Sequence, residues 1–227
     1  MNPVFPSILS TDFYDLKDKL NSFKKGGIEF IHLDIMDGHF VDNLSFGPSI
    51  VQPIKKEFNF KIDSHLMVSN PEKIIPYFIN AGSDWISFHI EIKEGTEKNI
   101  TMIKEAGKKV GLAINPDTDI SELYPYITKI DYILLMSVFP GYGGQKFITG
   151  SNERVVSLRE KIRSLNPDCL IQIDGGINTT NTGTLHMKGV DLFVMGTSLY
   201  NSDNIEEEIL KILKTMEGEN NEKAGIN

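Results

Sequence analysis

Phe30-Ile31-His32-Leu33-Asp34-Ile35 is a short apolar run interrupted by two polar residues in alternation. In a strand, alternate side chains share a face, so His32 and Asp34 point the same way. Two other runs share this character, Lys61-Ile62-Asp63-Ser64-His65-Leu66-Met67 and Leu170-Ile171-Gln172-Ile173-Asp174. They put His65 and Asp174 at strand C-terminal ends as well. Outward from these runs, short β-branched or aliphatic stretches alternate with longer stretches of helical periodicity along the chain, the pattern of repeated βα units around a parallel sheet. Eight units are predicted, with strands near 4–9, 30–35, 61–67, 85–89, 110–114, 132–137, 170–174 and 192–195 and a last helix over 205–216. Small-residue turns followed by an acid recur before strands, as in Ala81-Gly82-Ser83-Asp84 and Lys188-Gly189-Val190-Asp191. Such repetition favours a closed (β/α)8 TIM barrel over a doubly wound open sheet. One barrel domain is expected over residues 1–216, followed by a frayed polar tail over 217–227.

At 227 residues and 40% hydrophobic content, the chain can bury one sizeable core. A net charge of -8 leaves no basic surplus for a nucleic-acid backbone, and pairs such as Lys24-Lys25 and Lys55-Lys56 are scattered. Cys169 is the lone cysteine, which excludes an intramolecular disulfide and fits a reducing compartment. Met1-Asn2-Pro3-Val4-Phe5-Pro6 has no charged n-region or long apolar run, and no stretch approaches the ~18 apolar residues of a membrane span. A soluble cytoplasmic protein without nucleic-acid or membrane partners is expected.

The C-terminal strand ends and the loops after them form the reactive face of such a barrel. A satisfied core histidine or a helix-capping aspartate is the plainer reading of any one of His32, Asp34, His65 and Asp174. All four at strand ends point instead to a metal. Two imidazoles and two carboxylates suit Zn2+, Fe2+, Co2+ or Mn2+ better than Ca2+. Pro140-Gly141-Tyr142-Gly143-Gly144-Gln145, Asp174-Gly175-Gly176 and Gly196-Thr197-Ser198 follow the last three strands. Glycines let backbone N–H groups approach an anion closely, so a phosphate monoester is the expected guest. Met36, Met67 and Met136 follow three strands and could line the pocket with adaptable apolar surface, although core packing would also explain them. His39, His89 and Glu91 have no interpretable partner spacing and are taken as supporting residues.

Phe5-Pro6-Ser7-Ile8-Leu9-Ser10, His32-Leu33-Asp34-Ile35-Met36-Asp37-Gly38-His39-Phe40-Val41, Ser64 to Val68, Leu135 to Val138, Pro140 to Phe147 and Asp174-Gly175-Gly176 together resemble the ribulose-phosphate 3-epimerase family. The resemblance runs from about Pro6 to Asn201. It implies a (β/α)8 barrel holding one divalent metal ion and inverting C3 of a ketose phosphate, the small-molecule substrate. It implies His32, Asp34, His65 and Asp174 as metal ligands, with Asp34 and Asp174 also the acid/base pair. The substrate contacts it implies are Ser7, His65, Gly141, Tyr142, Gly143, Gly144, Asp174, Gly175, Gly176, Gly196 and Thr197. A homo-oligomer is expected from the same likeness.

The implied reaction accounts for that inventory. A C3 proton beside a carbonyl is weakly acidic, so the enediolate left behind needs stabilising, a task for a Lewis acid. Inversion needs one proton removed and one delivered on opposite faces, hence two carboxylates. D-ribulose 5-phosphate is the favoured substrate. D-allulose 6-phosphate is the alternative, because the Gly196-Thr197-Ser198-Leu199-Tyr200-Asn201 string also resembles relatives acting on that hexose. A barrel that binds a sugar phosphate without turnover is a further reading, and a related lysine-dependent isomerase or decarboxylase is disfavoured because no predicted strand end carries lysine. The chain departs from several family members at Asp42, Phe139 and Tyr142, none of them a metal-ligand position.

Overall fold

The structure is a computed structural model that describes residues 1–224, with side chains described for 1–216. The strands are β1 Val4–Pro6, β2 Phe30–Met36, β3 Lys61–Met67, β4 Trp85–His89, β5 Lys109–Ile114, β6 Tyr132–Met136, β7 Leu170–Asp174 and β8 Leu192–Met195. All neighbouring pairs are parallel, in the order β1-β8-β7-β6-β5-β4-β3-β2. A parallel bridge between Ser7 and His32 brings the two ends of this sheet together. The expected eight-stranded barrel is therefore what forms.

Around it lie α1 Leu16–Lys25, α2 Val51–Phe58, α3 Pro71–Ala81, α4 Thr96–Glu105, α5 Ser151–Leu165, α6 Thr182–Lys188, the short α7 Thr197–Tyr200, and α8 Ile205–Ala224. The connection from β5 to β6 is a 3-10 helix, Ile120–Lys129, with Pro125 inside it. Proline has no N–H and crowds the preceding turn, which disfavours regular α-helix there. The first strand is shorter than expected because the Ser7 hydroxyl accepts the Leu9 N–H and turns the chain into a 3-10 helix, Ile8–Ser10. At the other end, α8 continues past Met216, where the apolar periodicity stops. Residues 225–227 of the expected tail lie outside the described residues.

Two apolar layers follow from strand alternation. One set of side chains fills the space between sheet and helices, including Ile31, Leu33, Ile62 and Ile171. The other fills the barrel interior, where Phe5 stacks on Phe30 at 4.6 Å and Trp85 packs on Phe30 and Tyr132. Each such buried ring stabilises the fold by roughly 1.5–3 kcal/mol.

The acid-before-strand turns have a definite role at the N-terminal face. Asp84, Asp131 and Asp191 immediately precede β4, β6 and β8. Their carboxylates accept the backbone N–H groups of Ile62, Val110 and Ile171 in the strand before, at 2.8, 2.9 and 2.7 Å. Glu29 precedes β2 and accepts the Asn2 N–H at 2.9 Å. Asp84, Asp131 and Asp191 also accept from Lys55, Lys109 and Arg159. Strand ends that would present unpaired donors are thereby satisfied.

Gly111 in β5 is required by packing. A Cβ there would lie 2.4 Å from the ring of Tyr132 on the next strand. Gly111→Ala should therefore destabilise the protein by about 1–3 kcal/mol, the range for overpacking a close-packed core. Urea unfolding checks this, and an unchanged midpoint would show that the ring yields freely.

Candidate active site

Strands β2, β3 and β7 deliver His32, Asp34, His65 and Asp174 to one place. One ligand-type atom from each lies within 4.8 Å of all the others. His32 and His65 are fully buried, Asp34 is buried, and Asp174 is partly open to the cavity above. The Ser7 hydroxyl donates to Asp34 Oδ2 at 2.6 Å, which fixes that carboxylate from the adjoining strand.

The donor set fits a divalent ion. His32 directs Nδ1 at Asp63 Oδ2, 2.8 Å away, while its buried Nε2 has no hydrogen-bond partner and lies 3.4 Å from Asp34 Oδ1. A carboxylate holding one ring N–H so that the other nitrogen faces inward is the usual support of a metal-ligating histidine. Asp63 is itself held by the Tyr132 hydroxyl at 2.9 Å and the Gln172 amide at 2.8 Å.

The two carboxyls of the cluster are driven apart in acidity. Burial alone would raise Asp34, but the charge and close approach of His32 outweigh it and hold the group well below the usual carboxylate range. Asp174 is pushed up to about 7 by burial and then by the neighbouring Asp34 charge. Burial lowers His65 to about 4. For His32 burial acts downward too, but the Asp34 and Asp63 charges outweigh it and hold the ring well above its ordinary value.

Above the cluster is a cavity of about 380 Å³. Ser7, Asp34, Asp174, Met36, Met67, Met136, Gly141, Tyr142, Gly143, Gly144, Gly175, Gly176, Gly196 and Thr197 all line it. His32 and His65 lie beneath its floor. At Gly175, φ is +119° and a Cβ would meet Val138 at 2.5 Å, so the turn after β7 admits no side chain. Ser137 donates to the carbonyls of Asp174 and Gly175 and pins that turn.

Sequence reasoning missed several residues. Asp63 was not singled out, although it shares a strand face with His65. Ser10, Lys146 and Asn178 also line the cavity, beside Gln145 and Ser198 of the glycine loops. Lys146 is in the loop after β6 and not at a strand end, where strand periodicity carries no signal for it. His39 lies apart, exposed, in a turn held by the Asp37 carboxylate. His89 and Glu91 are joined to His65 by hydrogen bonds. Two of the departures from the family pattern meet each other, since the Tyr142 hydroxyl donates to the Asp42 carbonyl at 2.9 Å. Phe139 stands half exposed at the cavity rim.

A parallel eight-stranded barrel with its titratable cluster at the C-terminal face belongs to the barrel enzymes. Residues 3–200 match the model of the "Ribulose-phosphate 3 epimerase family". The chain belongs to that family, and it is an isomerase of the epimerase type. It is 41% identical over 216 residues to the ribulose-phosphate 3-epimerase of Aquifex aeolicus, covering 95% of this chain and 97% of that one. It is 37% identical over 213 residues to that of Bacillus subtilis, covering 93% and 98%. The crystal structure of 3-hexulose-6-phosphate synthase from Salmonella typhimurium superposes with a TM-score of 0.70 at 13% identity, covering 96% of this chain and 99% of that one. That likeness bears on the fold alone. No described helix is long and apolar enough to cross a membrane.

A raised Asp174 and a raised His32 hold protons that a bound cation must displace. Apparent Co2+ affinity should therefore climb by about tenfold or more per pH unit below pH ~7. Calorimetry in buffers of different ionisation enthalpy counts the released protons, and a flat profile below neutrality would contradict the raised Asp174.

Proposed function

We propose that this chain interconverts D-ribulose 5-phosphate and D-xylulose 5-phosphate by moving a proton at C3, with one divalent metal ion held by His32, Asp34, His65 and Asp174. The observation that carries the reading is the convergence of two carboxyls and two imidazoles in one cluster beneath a cavity of about 380 Å³, the carboxyls pushed in opposite directions by their metal-free surroundings. Two groups whose surroundings push their acidities apart are suited to be base and acid in one reaction. The names of the relatives support the substrate.

Held there, a divalent ion would supply Lewis acidity for the charge that develops when C3 loses its proton. Asp34, ionised and oriented by Ser7, accepts the C3 proton of D-ribulose 5-phosphate. Asp174 is the acid that delivers a proton to the opposite face, and the roles exchange in the reverse direction. Met36, Met67 and Met136 present buried thioethers that keep water from the reacting carbon. Gly143, Gly144, Gly176 and Thr197 form the corner that takes the phosphate, where backbone approach is unobstructed. Zn2+, Fe2+, Mn2+ and Co2+ all suit the mixed imidazole and carboxylate set. The lone buried Cys169 fits work in the reducing cytoplasm.

Steady-state turnover of the metal-loaded protein on D-ribulose 5-phosphate and D-allulose 6-phosphate, with a chelated control, tests this. The pentose should be preferred by more than about tenfold in kcat/KM, or roughly 1.4 kcal/mol in transition-state binding. Asp34→Asn and Asp174→Asn should each lower kcat by about 10²–10⁴ with the circular dichroism spectrum unchanged. A hexose preference would reassign the substrate, and no epimerisation of either sugar by folded, metal-loaded protein would leave a sugar-phosphate binder.

A further inference from the structure

A chain of hydrogen bonds continues outward from His65. Its Nε2 lies 2.9 Å from His89 Nε2, and His89 Nδ1 lies 2.9 Å from Glu91 Oε2. The other Glu91 oxygen accepts the Asn115 N–H at 2.8 Å and the Thr118 hydroxyl at 2.6 Å. Both imidazoles are buried and stacked, and the Phe40 ring covers His89 at 4.5 Å. Neither His89 nor Glu91 belongs to the four-residue cluster.

Protons along this chain of hydrogen bonds are fewer than its links. It runs from the Glu91 carboxylate through His89 and His65 to Asp34 Oδ1, 3.3 Å from His65 Nδ1. That is three links. A neutral imidazole carries one N–H, so two rings supply two protons for three links, and the carboxylates at both ends only accept. With both rings neutral, one link lacks a proton.

Glu91 decides which one. Burial would raise its carboxyl, but His89, Thr118 and Asn115 outweigh it and bring it down to about 2. An ionised Glu91 requires the proton of His89 on Nδ1, which leaves His89 Nε2 as an acceptor. His65 must then donate from Nε2, and its Nδ1 lone pair faces Asp34 Oδ1 directly. Two lone pairs in that position repel unless a cation sits between them.

We infer that His89 and Glu91 are positioning residues that fix His65 as the Nε2–H tautomer, reserving the unfilled link between His65 Nδ1 and Asp34 for a divalent cation in place of a proton. This rests on the metal reading of the cluster. The distinction from an ordinary structural role lies in Glu91→Gln. The oxygen of a glutamine there must stay on the Asn115 and Thr118 donors, so its NH2 faces His89 Nδ1. The whole chain then reverses, and His65 Nδ1–H donates to Asp34. All three links now hold a proton, so the metal-free chain of hydrogen bonds stays complete while the metal loses a ligand. His89→Gln keeps the original direction, because its amide oxygen accepts from His65 and its NH2 donates to Glu91.

The test uses the full chain with ¹⁵N-labelled histidine. Long-range ¹H–¹⁵N spectra of the metal-free protein report the His65 tautomer, chelator competition gives the Co2+ dissociation constant, and thermal unfolding gives metal-free stability. The parent should show Nε2–H and Glu91→Gln should show Nδ1–H. Glu91→Gln should bind Co2+ about 10–100-fold more weakly, with a metal-free Tm equal to or above the parent's, whereas His89→Gln should stay within about threefold of parental affinity. An unchanged tautomer in Glu91→Gln, Co2+ affinity within about threefold of the parent, or a metal-free Tm that falls along with affinity would each overturn the inference. If the parent itself binds no Co2+, the metal reading fails, and the tautomer spectra alone still decide whether Glu91 sets the direction of the chain.

Discussion

The active end of this barrel depends on a carboxylate buried at its axis. Asp63 is wholly enclosed, and removing such a group from water costs several kcal/mol unless donors compensate. They come from three other strands: His32 of β2, Tyr132 of β6 and Gln172 of β7. Asp63 itself belongs to β3. Four strands must therefore close in one register before this group is satisfied, and the same closure turns His32 Nε2 toward Asp34 and Asp174. Gly111 enters the same arrangement from β5, by leaving room for the ring that carries the Tyr132 hydroxyl.

This interior is divided by height. Phe5, Phe30 and Trp85 seal the N-terminal half with packed rings, and the polar groups are concentrated above them. The division lets the cluster be dry below and open above. Its four residues sit on strands, whose positions the ladder hydrogen bonds fix, while the groups lining the phosphate corner sit on loops. A rigid reacting end with a more adaptable binding rim is a sensible allocation, because acid/base transfer tolerates little misplacement.

Much of this was legible in the sequence because strand periodicity is a local property. His32 with Asp34 could be paired from spacing alone, and the glycine loops announced themselves by composition. What stayed hidden depends on register between strands. Asp63 meets His32 because those two residues are partners across β2 and β3, 31 positions apart, and no local pattern encodes that. His89 and Glu91 looked isolated for the same reason, since their link to His65 crosses from β4 to β3. Helix type was also underdetermined: the alternation of units implies a helix between β5 and β6, but with Pro125 inside it the segment takes the 3-10 form. Polar composition suggested that the last helix stops near Met216, and its backbone continues regardless.

The carboxylates that cap strands at the N-terminal face have a symmetry of their own. Glu29, Asp84, Asp131 and Asp191 each precede an even-numbered strand and hold the backbone at or just before the odd-numbered strand preceding it. In its hydrogen bonding at that end, the barrel is thus a fourfold object, four quarters of two βα units each. A chain reopened between quarters, by circular permutation after β4 or β6, would leave each of these carboxylates joined through its own segment to the backbone it holds. Reopening inside a quarter would place the acid and its partner at opposite ends of the chain, so that a local contact becomes one made only when the whole barrel closes.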